Sequence, residues 1–422
     1  MYLVEVPGTR YVFAFPKDYV KEVMTIYFDN SATTKVRQEV VDAMMPYLME
    51  QFGNPSSIHA VGRASHKAIA TARKQVAELL GCSPVEVYFS ACGTMSNNVA
   101  ILGRARFVKA NDLGKHVITT QIEHPSVMGP CKLLEGEGWK TTFLPVDGQG
   151  FVDPEVLRKA ITKETSIVSI MWANNEIGTV QPIAKLAEVI TEEAKKHGTE
   201  IFFHSDAVQA SAKILIEVGN IPGLSSISIS GHKFHAPKGI GALFLRKGVN
   251  IMPITFGGGQ EKALLPGTEG LANVVALGKA AELAKADFDE CTSRLKSMQR
   301  FLMDELSTLD GVRLTGPLDL DHRLPGHVSI TVENAEGEAL VMQLDMKGIC
   351  ASSASACHSG VIEPSHVLSA LCLPCSQTKG SVRISLGRYN TQAECEKAIA
   401  VMKSVFTQSN PSQKSLAAGA SK

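Results

Sequence analysis

The sequence predicts an α/β protein with a mostly parallel sheet, and three observations support this prediction. Segments with strand-like and helix-like apolar patterns alternate from about residue 86 to residue 196. Such alternation implies parallel strands joined by right-handed crossovers, with ligands bound beyond the carboxyl ends of the strands. Polar side chains, His124, Asn175 and Asp206, follow such strand ends. The chain has 422 residues, more than one core usually supports, so we expect a second, smaller domain.

The composition excludes several classes of function. The 42 basic and 42 acidic residues cancel, and no long charged run suggests a nucleic-acid partner. No apolar stretch reaches the length of a membrane span. The nine cysteines are scattered and odd in number, which favours a reducing compartment, and Cys372 and Cys375 lack the two further ligands that a metal site needs. We expect a cytoplasmic protein with a small-molecule substrate and no bound metal, and a mitochondrial location stays open.

The first part of the chain carries a candidate phosphate site. Residues 1–25 have mixed charge and no signal-peptide pattern, so we interpret them as an N-terminal extension. A helix is predicted over 60–80, capped by Gly81, and a strand over 86–90. Gly93 then permits close backbone approach, Thr94 offers a hydroxyl, and the free N–H groups of a helix N-terminus bind anions. The alternative is an ordinary helix cap.

The central stretch, residues 225–244, holds Lys233 on a Gly/Pro-rich turn between two apolar strands. Partial burial lowers the pKa of a lysine and frees its amine for a Schiff base with a carbonyl cofactor. Asp206 ends the strand that precedes Lys233 by 27 residues. Pyridoxal phosphate needs such a pair, since an aspartate must face the pyridine nitrogen while a lysine holds the aldehyde. His124 can lie over the ring and shuttle protons, and Asn175 can bond a ring hydroxyl. A solvated turn lysine and a helix-capping aspartate are the alternatives.

The C-terminal part is predicted as a smaller α+β domain. A helical region over 273–309 is followed by strands over 326–332 and 381–386. Between these strands, Cys357 lies in a run of small residues that we expect to be mobile, where it would act as a nucleophile; the alternative is a free surface cysteine. Arg388 follows the last strand, and its guanidinium suits a carboxylate, unless it is a plain surface charge. Residues 409–422 are small and polar, and we expect them to be disordered.

Taken together, these motifs resemble the fold-type I, class V aminotransferase-like cysteine desulfurases of the NifS/IscS type. The resemblance runs from about Tyr27 to Thr391. It rests on the segments Asp29–Thr34, Gly53–Ser57, Glu123–His124, Asn174–Gly178, Asp206–Gln209, Ser230–Lys233, Gly257–Gln260, Ser355–Cys357 and Leu386–Arg388. It implies a homodimer with a large pyridoxal-phosphate domain over 26–272 and a small domain over 273–408 that carries the catalytic cysteine.

The resemblance also implies a role for each candidate residue. Lys233 would hold the cofactor, Asp206 would face its ring nitrogen and His124 would stack on the ring. The ring hydroxyl would be bound by Asn175 and Gln209, and the substrate carboxylate by Arg388, with Asn54 as a further pocket residue. The phosphate would be held by Gly93, Thr94, Ser230, His232 and, from the partner subunit, Thr268.

The implied activity converts L-cysteine to L-alanine and transfers the sulfur to Cys357 as a persulfide. A sulfur-acceptor protein would then receive it, for iron–sulfur cluster assembly or another use. Family members usually have Glu at Met95, Arg at Leu265 and Thr or Ser at His358. A Cys-His-Ser sequence and a Pro-Gly-Thr loop also occur in selenocysteine lyases, so L-selenocysteine is the alternative substrate. A catalytically silent dimer that binds a partner, and a plain aminotransferase or decarboxylating enzyme, are further alternatives.

Overall fold

The computed structural model describes residues 25–353, 356–358, 361–363 and 365–409. The expected N-terminal extension and C-terminal tail lie outside these residues, apart from Thr25 and Ser409. The helices are α1 (Gln38–Met44), α2 (Pro46–Met49), α3 (Ala60–Leu80), α4 (Gly93–Ala110), α5 (Pro125–Gly136), α6 (Pro154–Ala160), α7 (Ile183–His197), α8 (Leu271–Ala286), α9 (Phe288–Ser307), α10 (Gly337–Asp345), α11 (His366–Ala370), α12 (Cys375–Thr378) and α13 (Gln392–Ser409).

The strands alternate with these helices through the first two thirds of the chain, as the apolar pattern predicted. They are β1 (Ile26–Tyr27), β2 (Val87–Ser90), β3 (His116–Thr120), β4 (Lys140–Leu144), β5 (Thr165–Ser169), β6 (Phe202–Asp206), β7 (Ser226–Ser230), β8 (Gly241–Leu245), β9 (Val312–Leu314), β10 (His327–Val332), β11 (Ile349–Cys350), β12 (Ala356–His358), β13 (Val361–Glu363) and β14 (Ser381–Ser385). The predicted α/β class is confirmed.

A seven-stranded sheet with the order β2-β8-β7-β6-β5-β3-β4 organises the larger part of the molecule. Strands β7, β6, β5, β3 and β4 run parallel to one another, and β8 runs antiparallel to both β7 and β2. Every residue of β3, β5, β6 and β7 is buried, which is typical of a parallel sheet covered by helices on both faces. Because parallel strands end at one edge, the residues that follow them are delivered to one place.

A second sheet, with the order β14-β10-β9 and antiparallel pairing, builds the smaller part. Its core includes Leu302 of α9, Ile330 of β10 and Phe406 of α13. The N-terminal strand β1 pairs with β11, so Ile26 also packs in this second core. The boundary expected after residue 272 falls inside α8, whose Leu277 packs in the larger core against α3. The two cores therefore divide between α8 and α9.

Local signals set the ends of the helices. The predicted cap Gly81 has φ 64°, a left-handed conformation that glycine adopts without a Cβ clash, and its N–H bonds the carbonyl of Ala77. Among the described helices, none combines the length and the apolar character needed to cross a bilayer.

Candidate active site

A cavity of about 320 Å³ opens at the carboxyl edge of the large sheet. Nine of the predicted site residues line it: Gly93, Thr94, His124, Asn175, Asp206, Gln209, Ser230, His232 and Lys233. The structure brings them together because the loops after β2, β3, β5, β6 and β7 converge there. Asn54, Thr268 and Arg388 do not line this cavity, and the side chain of Cys357 lies outside the described residues.

Lys233 lies in the single turn Gly231–Lys233 that follows β7. Its Nζ donates hydrogen bonds to the carbonyl oxygens of Ser31 at 2.6 Å and Ala32 at 2.8 Å. Burial, followed by the charge of Arg383, lowers the pKa of Lys233 to about 8. A substantial fraction of this amine is therefore neutral near physiological pH, which a nucleophilic amine requires.

Asp206 is the last residue of β6, the strand beside β7. Its carboxylate is buried and receives two hydrogen bonds, from Asn97 Nδ2 to Oδ2 at 2.8 Å and from the backbone N–H of Val208 to Oδ1 at 3.0 Å. These donors fix the carboxylate in one orientation toward the cavity that Lys233 also lines. A buried carboxylate facing a reactive amine fits the pyridine nitrogen and the aldehyde of pyridoxal phosphate.

The N-terminus of α4 provides the predicted anion site. In the part of the chain that the structure describes, the N-cap Cys92 makes no side-chain capping bond, so the first N–H groups of α4 stay open toward the cavity. A Cβ at Gly93 would lie 2.6 Å from Val208 Cγ2, so only glycine leaves this space free. Burial, then the charge of Lys233, lowers the pKa of the neighbouring His232 to about 4, which keeps it a neutral donor. This cradle fits a phosphate group.

His124 forms the N-cap of α5, directly after β3. Its Nδ1 accepts a hydrogen bond from the backbone N–H of Ser126 at 3.1 Å and lies 2.7 Å from Ser126 Oγ. Burial lowers the pKa of His124. The imidazole is thus held at the rim of the cavity in its neutral form, as a ring that stacks on an aromatic cofactor should be.

Gln209 is held by a lysine that the sequence interpretation missed. Lys213 Nζ donates to Gln209 Oε1 at 2.9 Å, and Gln209 Nε2 donates to the carbonyl of Ser31 at 2.9 Å. Burial, then the charge of Lys233, lowers the pKa of Lys213 to about 7. The short spacing from Gln209 to Lys213 was visible in the sequence, but a lysine four residues after a strand-end motif is ordinarily exposed.

The arginine at the cavity is Arg383, not the expected Arg388. Arg388 pairs with Asp287 at 2.6 Å and lines a separate pocket, which has Lys233 as a wall in common with this cavity. Arg383 in β14 lines the cavity, pairs with Asp29 at 2.9 Å and donates to the carbonyl of Asn175 at 3.0 Å. Its buried Nε has no hydrogen-bond partner among the described residues. A guanidinium fixed in this way at the cavity fits a substrate carboxylate. The only signal in the sequence was an arginine between two apolar residues of a strand.

The segment that carries Cys357 is tied to the cavity at both ends. Before it, Ser352 exchanges two backbone hydrogen bonds with Arg383. After it, the Ser365 hydroxyl bonds the carboxylate of Glu176, and His366 Nε2 lies 2.9 Å from the carbonyl of Glu123. Cys357 itself lies in strand β12, opposite Ile362 of β13. The loop expected to be mobile, residues 351–360, lies partly outside the described residues, at 354, 355, 359 and 360, so its mobility stays a prediction.

The two unusual residues of the sequence, Met95 and Leu265, are partly buried against the same apolar cluster of the large domain. That cluster includes Val99 of α4 and Leu264. An apolar contact therefore anchors the start of α4 and the loop before Thr268, where a Glu and an Arg would carry charge. Met95 and Leu265, which stand where family members usually have Glu and Arg, therefore do not disrupt the packing around the cavity.

Comparisons with known proteins agree with this geometry. Residues 26–397 match the family described as aminotransferase class-V. A cysteine desulfurase IscS from Methanosarcina thermophila is 46% identical over 384 residues, 91% of this chain and 92% of the relative. A cysteine desulfurase IscS from Dictyoglomus turgidum is 43% identical, with 90% and 94% covered.

Solved structures show the same likeness. A NifS-like protein superposes with a TM-score of 0.84 at 34% identity, covering 90% of this chain and 99% of the other. A NifS-like protein from Rickettsia africae gives a TM-score of 0.79 at 30% identity, with the same coverage. Class V aminotransferases and cysteine desulfurases use pyridoxal phosphate. The paired Lys233 and Asp206 and the cradle at Gly93 fit that cofactor.

Proposed function

This chain belongs to the aminotransferase class-V family, and on that premise we propose that it is a cysteine desulfurase that converts L-cysteine to L-alanine and transfers the sulfur to Cys357 as a persulfide. The observation that carries the proposal is one cavity that combines the amine of Lys233, the carboxylate of Asp206 and the guanidinium of Arg383. The high identity to curated cysteine desulfurases supports it.

The residues divide the work between binding and proton transfer. When bound, pyridoxal phosphate supplies an aldehyde that condenses with amines and a ring that accepts electrons from the substrate. Asp206 would keep the ring nitrogen charged, and the N–H groups at Gly93 and Thr94, with Ser230 and His232, would hold the phosphate. Lys233 would hold the aldehyde of the cofactor, and its neutral amine would take the proton from Cα of the substrate.

Arg383 orients the substrate. Its guanidinium is fixed by Asp29 and the carbonyl of Asn175 and lines the cavity, so its planar set of donors would bind the α-carboxylate at two points. Two-point binding places the side chain of the substrate in a defined direction, which a single ammonium group would not do.

Cys357 would receive the sulfur. Its thiolate would attack the substrate sulfur and form the S–S bond of the persulfide as the Cβ–S bond breaks. The electron pair of the broken bond would stay with the substrate carbon, and a proton added at Cβ would give alanine. The anchoring of Ser352 to Arg383 and of Ser365 to Glu176 supports this role, because both ends of the cysteine segment leave from residues at the cavity. A sulfur-acceptor protein would then take the persulfide sulfur, in the cytoplasm, for iron–sulfur cluster assembly or another use.

A homodimer would complete the site. Large apolar side chains are exposed in the segment around Asn54, with Phe52 at 71% and Ile58 at 91%, and Phe256 is 74% exposed near the loop that carries Thr268. Exposed apolar groups of this size mark protein contacts. Pairing two chains through these segments would bring the partner subunit's Thr268 to the phosphate cradle and Asn54 to the pocket. Light scattering of the purified protein should give the mass of two chains, and a monomer would refute the proposal.

Borohydride reduction tests the assignment of Lys233. Reduction of the protein loaded with pyridoxal phosphate should fix the cofactor to the peptide that contains Lys233. Lys238→Ala, which changes an exposed lysine of the same turn, should leave this labelling intact, whereas Lys233→Ala should abolish it. An adduct on Lys213, or equal labelling of the Lys233→Ala variant, would refute the assignment.

A further inference from the structure

Asn97 forms a buried junction behind the cavity. It lies near the N-terminus of α4 with its side chain fully buried. Its Nδ2 donates to Ser126 Oγ at 2.8 Å and to Asp206 Oδ2 at 2.8 Å, and its Oδ1 lies 3.0 Å from His204 Nε2. One amide therefore connects the aspartate of the site with the serine that contacts His124.

The orientation of this amide is fixed by its neighbours. A carboxylate only accepts hydrogen bonds, so Asp206 must face the NH₂ group of Asn97, since a flipped amide would place two oxygens 2.8 Å apart. Asn97 Oδ1 then faces His204, whose Nε2 must donate to it. Burial lowers the pKa of His204 to about 3, so this ring is neutral and its Nδ1 accepts from Ser226 Oγ at 2.7 Å.

The same logic determines where the proton of His124 lies. The backbone N–H of Ser126 donates to His124 Nδ1 at 3.1 Å, so this nitrogen is an acceptor. Ser126 Oγ accepts from Asn97 and lies 2.7 Å from His124 Nδ1, so the hydroxyl proton points to that nitrogen. With two donors aimed at it, Nδ1 carries no proton, so the neutral ring carries its proton on Nε2.

The charged groups around His124 agree with this arrangement. Burial, Lys233 and His366 oppose a second proton on the ring, and Asp206 favours it, with a net lowering of the pKa of His124. A second proton would have to enter at Nδ1, against both donors of Ser126.

We propose that Asn97 is a positioning residue that holds His124 in the Nε2–H form, so that His124 donates from Nε2 and Lys233, not His124, takes the proton from Cα. In that step the Cα–H bond breaks, its electron pair stays with the carbon framework, and the lone pair of Lys233 Nζ binds the proton. The role in the reaction rests on the proposed function, whereas the protonation state of the ring does not.

The test uses the apo protein with histidines labelled with ¹⁵N in the ring. Long-range ¹H–¹⁵N spectra distinguish protonated from unprotonated ring nitrogens, and His124→Gln identifies the signals of His124. Wild-type protein should show Nε2 protonated and Nδ1 unprotonated. A proton on Nδ1 would overturn the proposal, whether or not the enzyme is active, so its failure is distinct from failure of the proposed function.

Asn97→Ala removes the donor that occupies the Ser126 hydroxyl oxygen. Ser126 Oγ can then accept from His124, and the population should shift toward the Nδ1–H form. Asn98→Ala is the matched control, since the hydrogen bond of the Asn98 side chain among the described residues goes to the carbonyl of Thr94. An unchanged spectrum in Asn97→Ala would overturn the positioning role. If that variant does not fold, Ser126→Ala removes the same hydroxyl donor and should allow both forms to appear.

A second readout separates the two candidate bases. The loaded enzyme should exchange the Cα hydrogen of L-alanine for deuterium in D₂O. His124→Gln keeps an N–H donor, so exchange should fall by less than about 100-fold, whereas the loss of a general base costs about 10²–10⁴-fold. A larger loss in His124→Gln would assign the base to His124 and overturn the proposal.

Discussion

Replacing Arg383 with lysine tests whether this arginine binds the substrate carboxylate. The lysine keeps the positive charge but loses the planar guanidinium, whose donors can bind a carboxylate at two points. A hydrogen bond to a charged group contributes about 1.5–3 kcal/mol, so we expect kcat/KM for L-cysteine to fall about 10- to 150-fold.

The matched control is Arg388→Lys. The side chain of Arg388 is 30% exposed. Arg388 and Arg37 both pair with the carboxylate of Asp287, each at 2.6 Å. An ion pair of this kind contributes about 0–1 kcal/mol, and it does not reach the cavity, so kcat/KM should change less than about twofold.

Steady-state kinetics of alanine release from L-cysteine would measure both variants, and thermal unfolding would confirm that Arg383→Lys still folds without its contacts to Asp29 and Asn175. A large loss in Arg388→Lys with little change in Arg383→Lys would refute the reasoning and restore the original sequence-based interpretation.

Three further predictions concern the cofactor site and its surroundings. Gly93→Ala should weaken pyridoxal phosphate binding about tenfold or more, because overpacking against Val208 costs about 1–3 kcal/mol, and adding Val208→Ala should restore most of the affinity; no rescue in a cofactor titration would contradict the steric account. The rate at which apo enzyme attaches pyridoxal phosphate should rise with pH and level off above about 8, since burial lowers the pKa of Lys233 to about 8; a rise that continues to pH 10 would indicate an ordinary lysine. Burial raises the pKa of Glu123 to about 8 from its usual 4.5, so the folded state binds this proton more tightly than the unfolded chain and loses stability as pH rises from about 4.5 to 8. Glu123→Gln should therefore show a flatter decline of unfolding free energy between pH 5.5 and 8 in urea titrations, and parallel slopes would exclude a protonated Glu123.

Residues at strand ends were predictable because their position follows from chain order alone. Asp206 ends one strand of the apolar pattern and Lys233 lies in the turn after the next, and parallel pairing of β6 with β7 places these two positions at the same edge of the sheet. Gly93 and Thr94 were predictable for the same reason, since a helix that starts after a strand of this sheet points its N-terminus at that edge.

Arg383 and Asn97 were not predictable from local pattern. Arg383 sits in the middle of β14, in a sheet that reaches the cavity only through the packing of the second core on the first. Asn97 is a buried polar residue in a helix. Its proposed positioning role depends on three hydrogen-bond partners that are distant in sequence, Ser126, His204 and Asp206. Thr268 and Asn54 would act across a subunit contact, so their positions depend on a partner chain as well as on this one.

The most direct test of the central claim follows the sulfur. Wild-type protein and Cys357→Ala are each given L-cysteine and L-selenocysteine, alanine is quantified, and the peptide containing Cys357 is examined by mass spectrometry for an added sulfur atom. We predict alanine from L-cysteine together with persulfide on Cys357, and loss of both in Cys357→Ala. Alanine from L-selenocysteine alone, unaffected by Cys357→Ala, would make this a selenocysteine lyase, and no alanine from either substrate would contradict the proposed activity altogether.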